Sequence, residues 1–109
     1  MGVHQFGLLP CAPCPGDRFD RYEPEKYQCI SVRDDLFDHL LISFKAIRTY
    51  WHSTDEPSAG MDEAGITLIP PDSAGQMAAL IGEAEELTGL KKLLSEADHM
   101  RRWIIHFGI

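Results

Sequence analysis

The chain has 109 residues, 44% of them hydrophobic and 25% charged, with a formal net charge of −7; that balance suits one globular domain and excludes a largely disordered chain. The acidic surplus disfavours DNA, RNA or an anionic membrane as partner, and no apolar run reaches the roughly 18 residues that span a bilayer. Three cysteines, an odd number, do not make a secreted disulfide framework, and with a leader lacking basic residues they point to the cytoplasm.

Residues 1–26 show no sustained period and are rich in Pro and Gly. They are expected to form an N-terminal arm, with residues 27–109 as a single α+β domain. Phe6, Leu8 and Leu9 suit a short strand or a cover over one edge of the core, and Phe19 and Tyr22 pin a charged stretch. Cys11-Ala-Pro-Cys14 is a C-x-x-C, but prolines surround it and no helical pattern follows. No second paired motif completes a zinc site. Cys11 and Cys14 read as two thiols on a flexible segment, with metal binding the lesser reading.

Tyr27–Val32 alternates as a strand, with Ile30 and Val32 on one face and Tyr27 and Cys29 on the other. Asp34 and Asp35 suit the positive end of a helix. Its apolar stripe is Leu36, Phe37, Leu40, Leu41, Phe44 and Ile47. Thr49–Ser53 is strand-forming, and residues 55–65, with Pro57, Gly60 and Gly65, read as a loop. Gly65–Ile69 is a strand stopped by Pro70 and Pro71. Ser73 and Gln76 have the spacing of a capping box, followed by a helix marked by Met77, Leu80, Ile81, Ala84 and Leu87. Leu90, Leu93, Leu94, Ala97 and Met100 continue the period. Thr88-Gly89 divides it into two helices, with Thr88 capping the second.

Trp103–Ile109 is apolar on both faces, as an interior strand is. The order β-α-β-β-α-α-β is close to the ferredoxin-like plan, an antiparallel sheet with helices on one face. That plan puts the last strand at an edge, against its apolar character. Either the arm covers it or the strand order differs.

From Thr49 to Leu90 there is no Lys or Arg, whereas Asp55, Glu56, Asp62, Glu63, Asp72, Glu83, Glu85 and Glu86 are acidic. Asp55, Glu56, Asp62 and Glu63, with Trp51 as an apolar anchor, suit docking of a basic protein partner. His52 and Asp55 open the long loop, and His106 lies on the last strand. Were the sheet to bring them together, they would form an acid–base or metal-binding group. No phosphate-cradling loop, dinucleotide fingerprint or nucleophile elbow occurs.

The leading expectation is therefore a non-enzymatic interaction module, an antitoxin- or immunity-like inhibitor or an adaptor. It would need no cofactor and act as monomer or homodimer. The alternative is a small enzyme or ligand-binding protein with a His52/His106 pocket.

Tyr22-Glu-Pro-Glu-Lys-Tyr27, Cys29-Ile-Ser-Val32, Tyr50-Trp-His-Ser53, Gly65-Ile-Thr-Leu-Ile-Pro-Pro71 and Ile105-His-Phe-Gly-Ile109 resemble stretches of a family of small bacterial proteins that carries no established activity. The resemblance covers most of the chain from Tyr22 onward. It implies a bacterial cytoplasmic origin, and neither a cofactor nor a catalytic residue.

Overall fold

The computed structural model describes residues 3–61, 64–82 and 84–108. In chain order its elements are β1 (Val3–Leu8), β2 (Ile30–Arg33), α1 (Asp34–Ser43), β3 (Arg48–Trp51), β4 (Pro57–Ala59), β5 (Ile66–Ile69), α2 (Pro71–Ile81), α3 (Thr88–Met100) and β6 (Ile104–Phe107). The strands make one sheet in the order β2-β1-β6-β5-β3-β4, every neighbouring pair antiparallel. The fold class is α+β.

The apolar run of β6 explains its place. It lies between β1 and β5, pairing Phe107 with Gln5 on one side and with Ile66 on the other, so its side chains are buried on both faces. This departs from the ferredoxin-like plan, in which the last strand is at an edge. The difference comes from β1. The arm expected over residues 1–26 begins with a six-residue strand inserted between β2 and β6, and a helical turn, Pro24–Tyr27, runs across residues 26 and 27. β4, inside the stretch expected as loop, is a fully exposed three-residue edge strand opening on Pro57, a residue that an edge tolerates because it cannot donate to a further ladder.

The alternation along the strands sorts side chains onto two faces. Phe6, Val32, Ile69 and Ile104 meet Leu40 and Phe44 near α1, Met77 of α2 and Leu94 of α3 in one core, so all three helices cover the same face. On the other face Leu9, Ile66, Leu68, Ile105 and Phe107 form a second cluster, covered by Phe19, Tyr27, Cys29, Tyr50 and Trp103. Gly7 makes this cover close. A Cβ there would fall 2.8 Å from Tyr27 Cβ and from Cys29 Sγ, too near for any real side chain. Burial pushes the Cys29 thiol up to about 11, which leaves it protonated and inert.

Helix ends differ from expectation in detail. α2 starts at Pro71, where a missing N–H costs nothing. Ser73 is inside it and donates its hydroxyl to the Arg48 carbonyl instead of capping. The break between α2 and α3 falls earlier than Thr88-Gly89, at Gly82 with φ 70°, and Thr88 donates its hydroxyl to the Glu85 carbonyl at 2.8 Å. α3 closes on Arg101 at φ 56°, whose N–H reaches the Ala97 and Asp98 carbonyls, a left-handed cap.

Candidate functional site

Two arrangements of histidine and carboxylate occur, one on each face of the sheet. On the helix face, His4 of β1 and His106 of β6 are fully buried. His4 Nδ1 lies 3.0 Å from His106 Nε2, and His4 Nε2 lies 3.1 Å from Asp34 Oδ1. Asp34 opens α1, and its side chain is 40% exposed. A carboxylate only accepts, so His4 Nε2 carries the proton and donates to Asp34. The two rings are nearly parallel, at 12°, with centroids 5.2 Å apart. That separation is the 3.0 Å between nitrogens plus one ring radius at each end. The rings are thus aligned end to end along a linear hydrogen bond, and their lone pairs do not converge on a shared point as two metal ligands must. Burial first, and the neighbouring His4 second, lower the His106 pKa to about 3, so His106 is neutral at pH 7.

On the opposite face, His52 follows β3 at φ 61°. Its backbone N–H donates to the Ile66 carbonyl at 3.1 Å, and its carbonyl accepts from Phe19 N–H at 2.8 Å. The side chain turns toward the arm. Nδ1 is 3.0 Å from the Phe19 carbonyl and 2.9 Å from Asp20 Oδ1. Both partners are acceptors, so Nδ1 holds the proton in the neutral ring and Nε2 is the acceptor. The Arg18 guanidinium donates to Asp20 at 3.0 Å, and that bond, ahead of the Arg18 charge, holds the Asp20 carboxyl below the usual carboxylate range. A hollow of about 390 Å³ lies here, lined by Asp20, Tyr22, Trp51, His52, Ala64, Gly65, Ile66, Phe107 and Gly108. Trp51 is 46% exposed and Tyr22 64%. The Trp51 ring stands edge-on to His52 at 5.0 Å, and Tyr22 edge-on to Phe107 at 5.4 Å.

The expected His52/His106 pair is therefore not formed. His106 shares the helix face with Phe6, its directly opposed neighbour on β1, while His52 lines a hollow with Ile66 and Phe107 of the other cluster. The period of two along a strand separates them: His106 and Phe107 point to opposite sides. The carboxylate at His52 is Asp20 rather than Asp55. Asp55 and Glu56 are exposed on the turn after β3, and the Asp55 N–H bonds Ser53 Oγ at 3.1 Å. Asp62, Glu63, Glu83 and Ile109 lie outside the described residues. Cys11 and Cys14 are exposed, and among the described residues no group of three His, Cys, Asp or Glu side chains could hold a metal. No helix among them is long and apolar enough to cross a membrane.

Sequence reasoning assigns Asp20, Tyr22 and Asp34 to no site, and considers His4 only as a nearest candidate ligand beside Cys11 and Cys14. Each lies far in sequence from the histidine it serves or flanks; the strand order joins His4 to His106, the start of α1 brings up Asp34, and the path of the arm brings up Asp20 and Tyr22. Comparison with protein-family models, curated proteins and solved structures finds no match for the chain.

Proposed function

We propose that this protein is an interaction module that docks a basic protein partner through the turn after β3, as an antitoxin- or immunity-like inhibitor or an adaptor. The observation that carries this reading is the 46% exposure of Trp51 at the root of a turn that also presents Asp55 and Glu56. The turn is fixed before any partner arrives. Trp51 N–H bonds the Glu56 carbonyl at 3.0 Å, Glu56 N–H bonds the Ser53 carbonyl at 3.1 Å, and Ser53 N–H bonds the Trp51 carbonyl at 2.7 Å. A rigid aromatic beside carboxylates suits a guanidinium, which stacks on the ring and pairs with the acids. The chain supplies an example of the pairing: Arg18 Nη1 lies 4.0 Å from Glu56 Oε1.

The same reading has the protein working in a bacterial cytoplasm, as a monomer or homodimer and without nucleic acid, in keeping with its charge of −7. The rival reading, a pocket shared by His52 and His106, has no support in the positions of those two rings. An arginine-rich peptide titrated against the protein should bind saturably and weaken with salt. Reversing Asp55, Glu56, Asp62 and Glu63 to Lys should cost at least about tenfold in affinity, roughly 1.4 kcal/mol. Equal affinity in the reversed variant would refute the reading.

A further inference from the structure

We propose that the hollow beside His52 is a binding site for a small planar aromatic molecule that carries a hydrogen-bond donor, a phenol or a ring N–H, with His52 Nε2 accepting that hydrogen. The inference stands apart from the docking of a basic partner. Trp51 is common to both, but Asp55 and Glu56 do not line the hollow.

Three non-glycine residues among those described have positive φ: Gln28, His52 and Arg101. Gln28 and Arg101 close helical turns as left-handed caps, where that conformation satisfies helix carbonyls. His52 closes no helix. Its conformation is unfavourable for a side chain with a Cβ by about 1–2 kcal/mol, and strain of that kind collects where a side chain must be aimed. What it achieves here is definite. The backbone of His52 stays tied to Ile66 and Phe19 while its ring reaches Asp20.

The carboxylate then sets the chemistry. With Nδ1–H committed to Asp20 Oδ1 and the Phe19 carbonyl, the uncommitted polar atom of the ring is Nε2, a lone pair in the neutral imidazole. The same division of labour, a carboxylate fixing one ring nitrogen so that the other accepts, orients catalytic and ligand-binding histidines generally. Asp20 is itself held by Arg18, so its charge is already countered and the hollow does not select a cation.

The walls select shape. Trp51, Tyr22, Phe107 and Ile66 offer apolar surface, and Gly65 and Gly108 bring bare backbone to the rim. Their ladder bond, Gly108 N–H to the Gly65 carbonyl at 2.8 Å, keeps that rim rigid. A volume near 390 Å³ falls at the small end of ligand pockets and fits one or two fused rings. Aromatic walls, one histidine acceptor and, among the described lining residues, no carboxylate without a counter-ion describe an aromatic donor.

The test uses the full chain labelled with ¹⁵N and two probes of nearly equal shape, phenol and anisole. Phenol should produce saturable shifts at the Gly65 and Gly108 amides and the Trp51 indole, with affinity at least about tenfold above anisole, the worth of one aimed hydrogen bond. His52→Phe should erase the difference between the probes. Should that variant lose its dispersed spectrum, Asp20→Asn serves instead, and it should weaken phenol, because the His52 Nδ1–H is then left with neutral acceptors only and Nε2 becomes a poorer acceptor. Asp55→Lys/Glu56→Lys should leave phenol binding intact, which separates this site from the docking turn. Equal affinity for anisole and phenol, or phenol selectivity persisting in both His52→Phe and Asp20→Asn, would overturn the proposal.

Discussion

His106 and His52 belong to one sheet, and the sheet treats them in opposite ways. His106 is wholly buried against Phe6 and joined through His4 to Asp34. His52 keeps a ring edge at the surface and takes its carboxylate, Asp20, from the arm. Both rings are oriented by hydrogen bonds, so orientation alone does not mark a functional histidine. Access does. A polar chain whose two rings are buried on the helix face, with only Asp34 reaching the surface, ties β1 to β6 and to the start of α1, whereas the same chemistry beside an open hollow is available to a ligand.

The largest expected effect separates the two regions outright. Deleting residues 1–9 removes β1, which carries His4 and fills the gap between β2 and β6. The backbone donors and acceptors of β6 would lose half their partners, and no cooperative thermal transition should remain in circular dichroism. Phe19→Ala, which trims the cover of the other face, should leave a cooperative transition lowered by about 1–3 kcal/mol. A truncated chain that still melts cooperatively would show that the helix face stands without β1.

The same strand shows what the sequence could and could not disclose. The interior position of β6 is legible because Ile104, Ile105 and Phe107 leave neither face polar. The helices are legible from stripes such as Leu90, Leu94 and Ala97, which are all buried. β1 is harder to read. His4, Gln5 and Gly7 interrupt its apolar pattern, since His4 is spent on a buried hydrogen bond and Gly7 on the close approach of Tyr27. The site is harder still. His52 stands out in the sequence, but its partner Asp20 is one acid among several in a charged stretch, and only the path of the arm across the sheet brings them together.

An effect of middle size concerns protons. His106 has its pKa lowered to about 3 in the folded protein, against about 6.5 in an unfolded chain. Between those values the unfolded state binds a proton that the folded state refuses, so stability falls as pH drops. The contribution is complete above about pH 6.5 and disappears progressively toward pH 3, with a slope of up to about 1.4 kcal/mol per pH unit. His4 and Asp34 adjoin the ring chain, and Asp20, lowered chiefly by its bond from Arg18, adds loss only near and below the carboxylate range. Urea midpoints measured at pH 7, 6 and 5 should decline in the native protein and decline less in His106→Leu. Parallel curves would mean that His106 is not the group refusing the proton.

The smallest effect bears most directly on His52. At φ 61° a glycine is comfortable and an alanine is not, so His52→Gly should be more stable than His52→Ala by about 1 kcal/mol. Neither variant makes the bond to Asp20, so their difference isolates the backbone strain, and chemical denaturation resolves it. Measured against the native chain, His52→Gly loses the part-buried Nδ1–H bonding shared by Phe19 and Asp20, about 0.5–1.5 kcal/mol, and recovers the strain, which nearly cancels. A measured cost near zero would show that His52 adds little to the stability of the fold, which leaves its ring to another use. A loss of more than about 2 kcal/mol in His52→Gly would instead make it a structural residue like His106, and the contrast between the two faces would collapse.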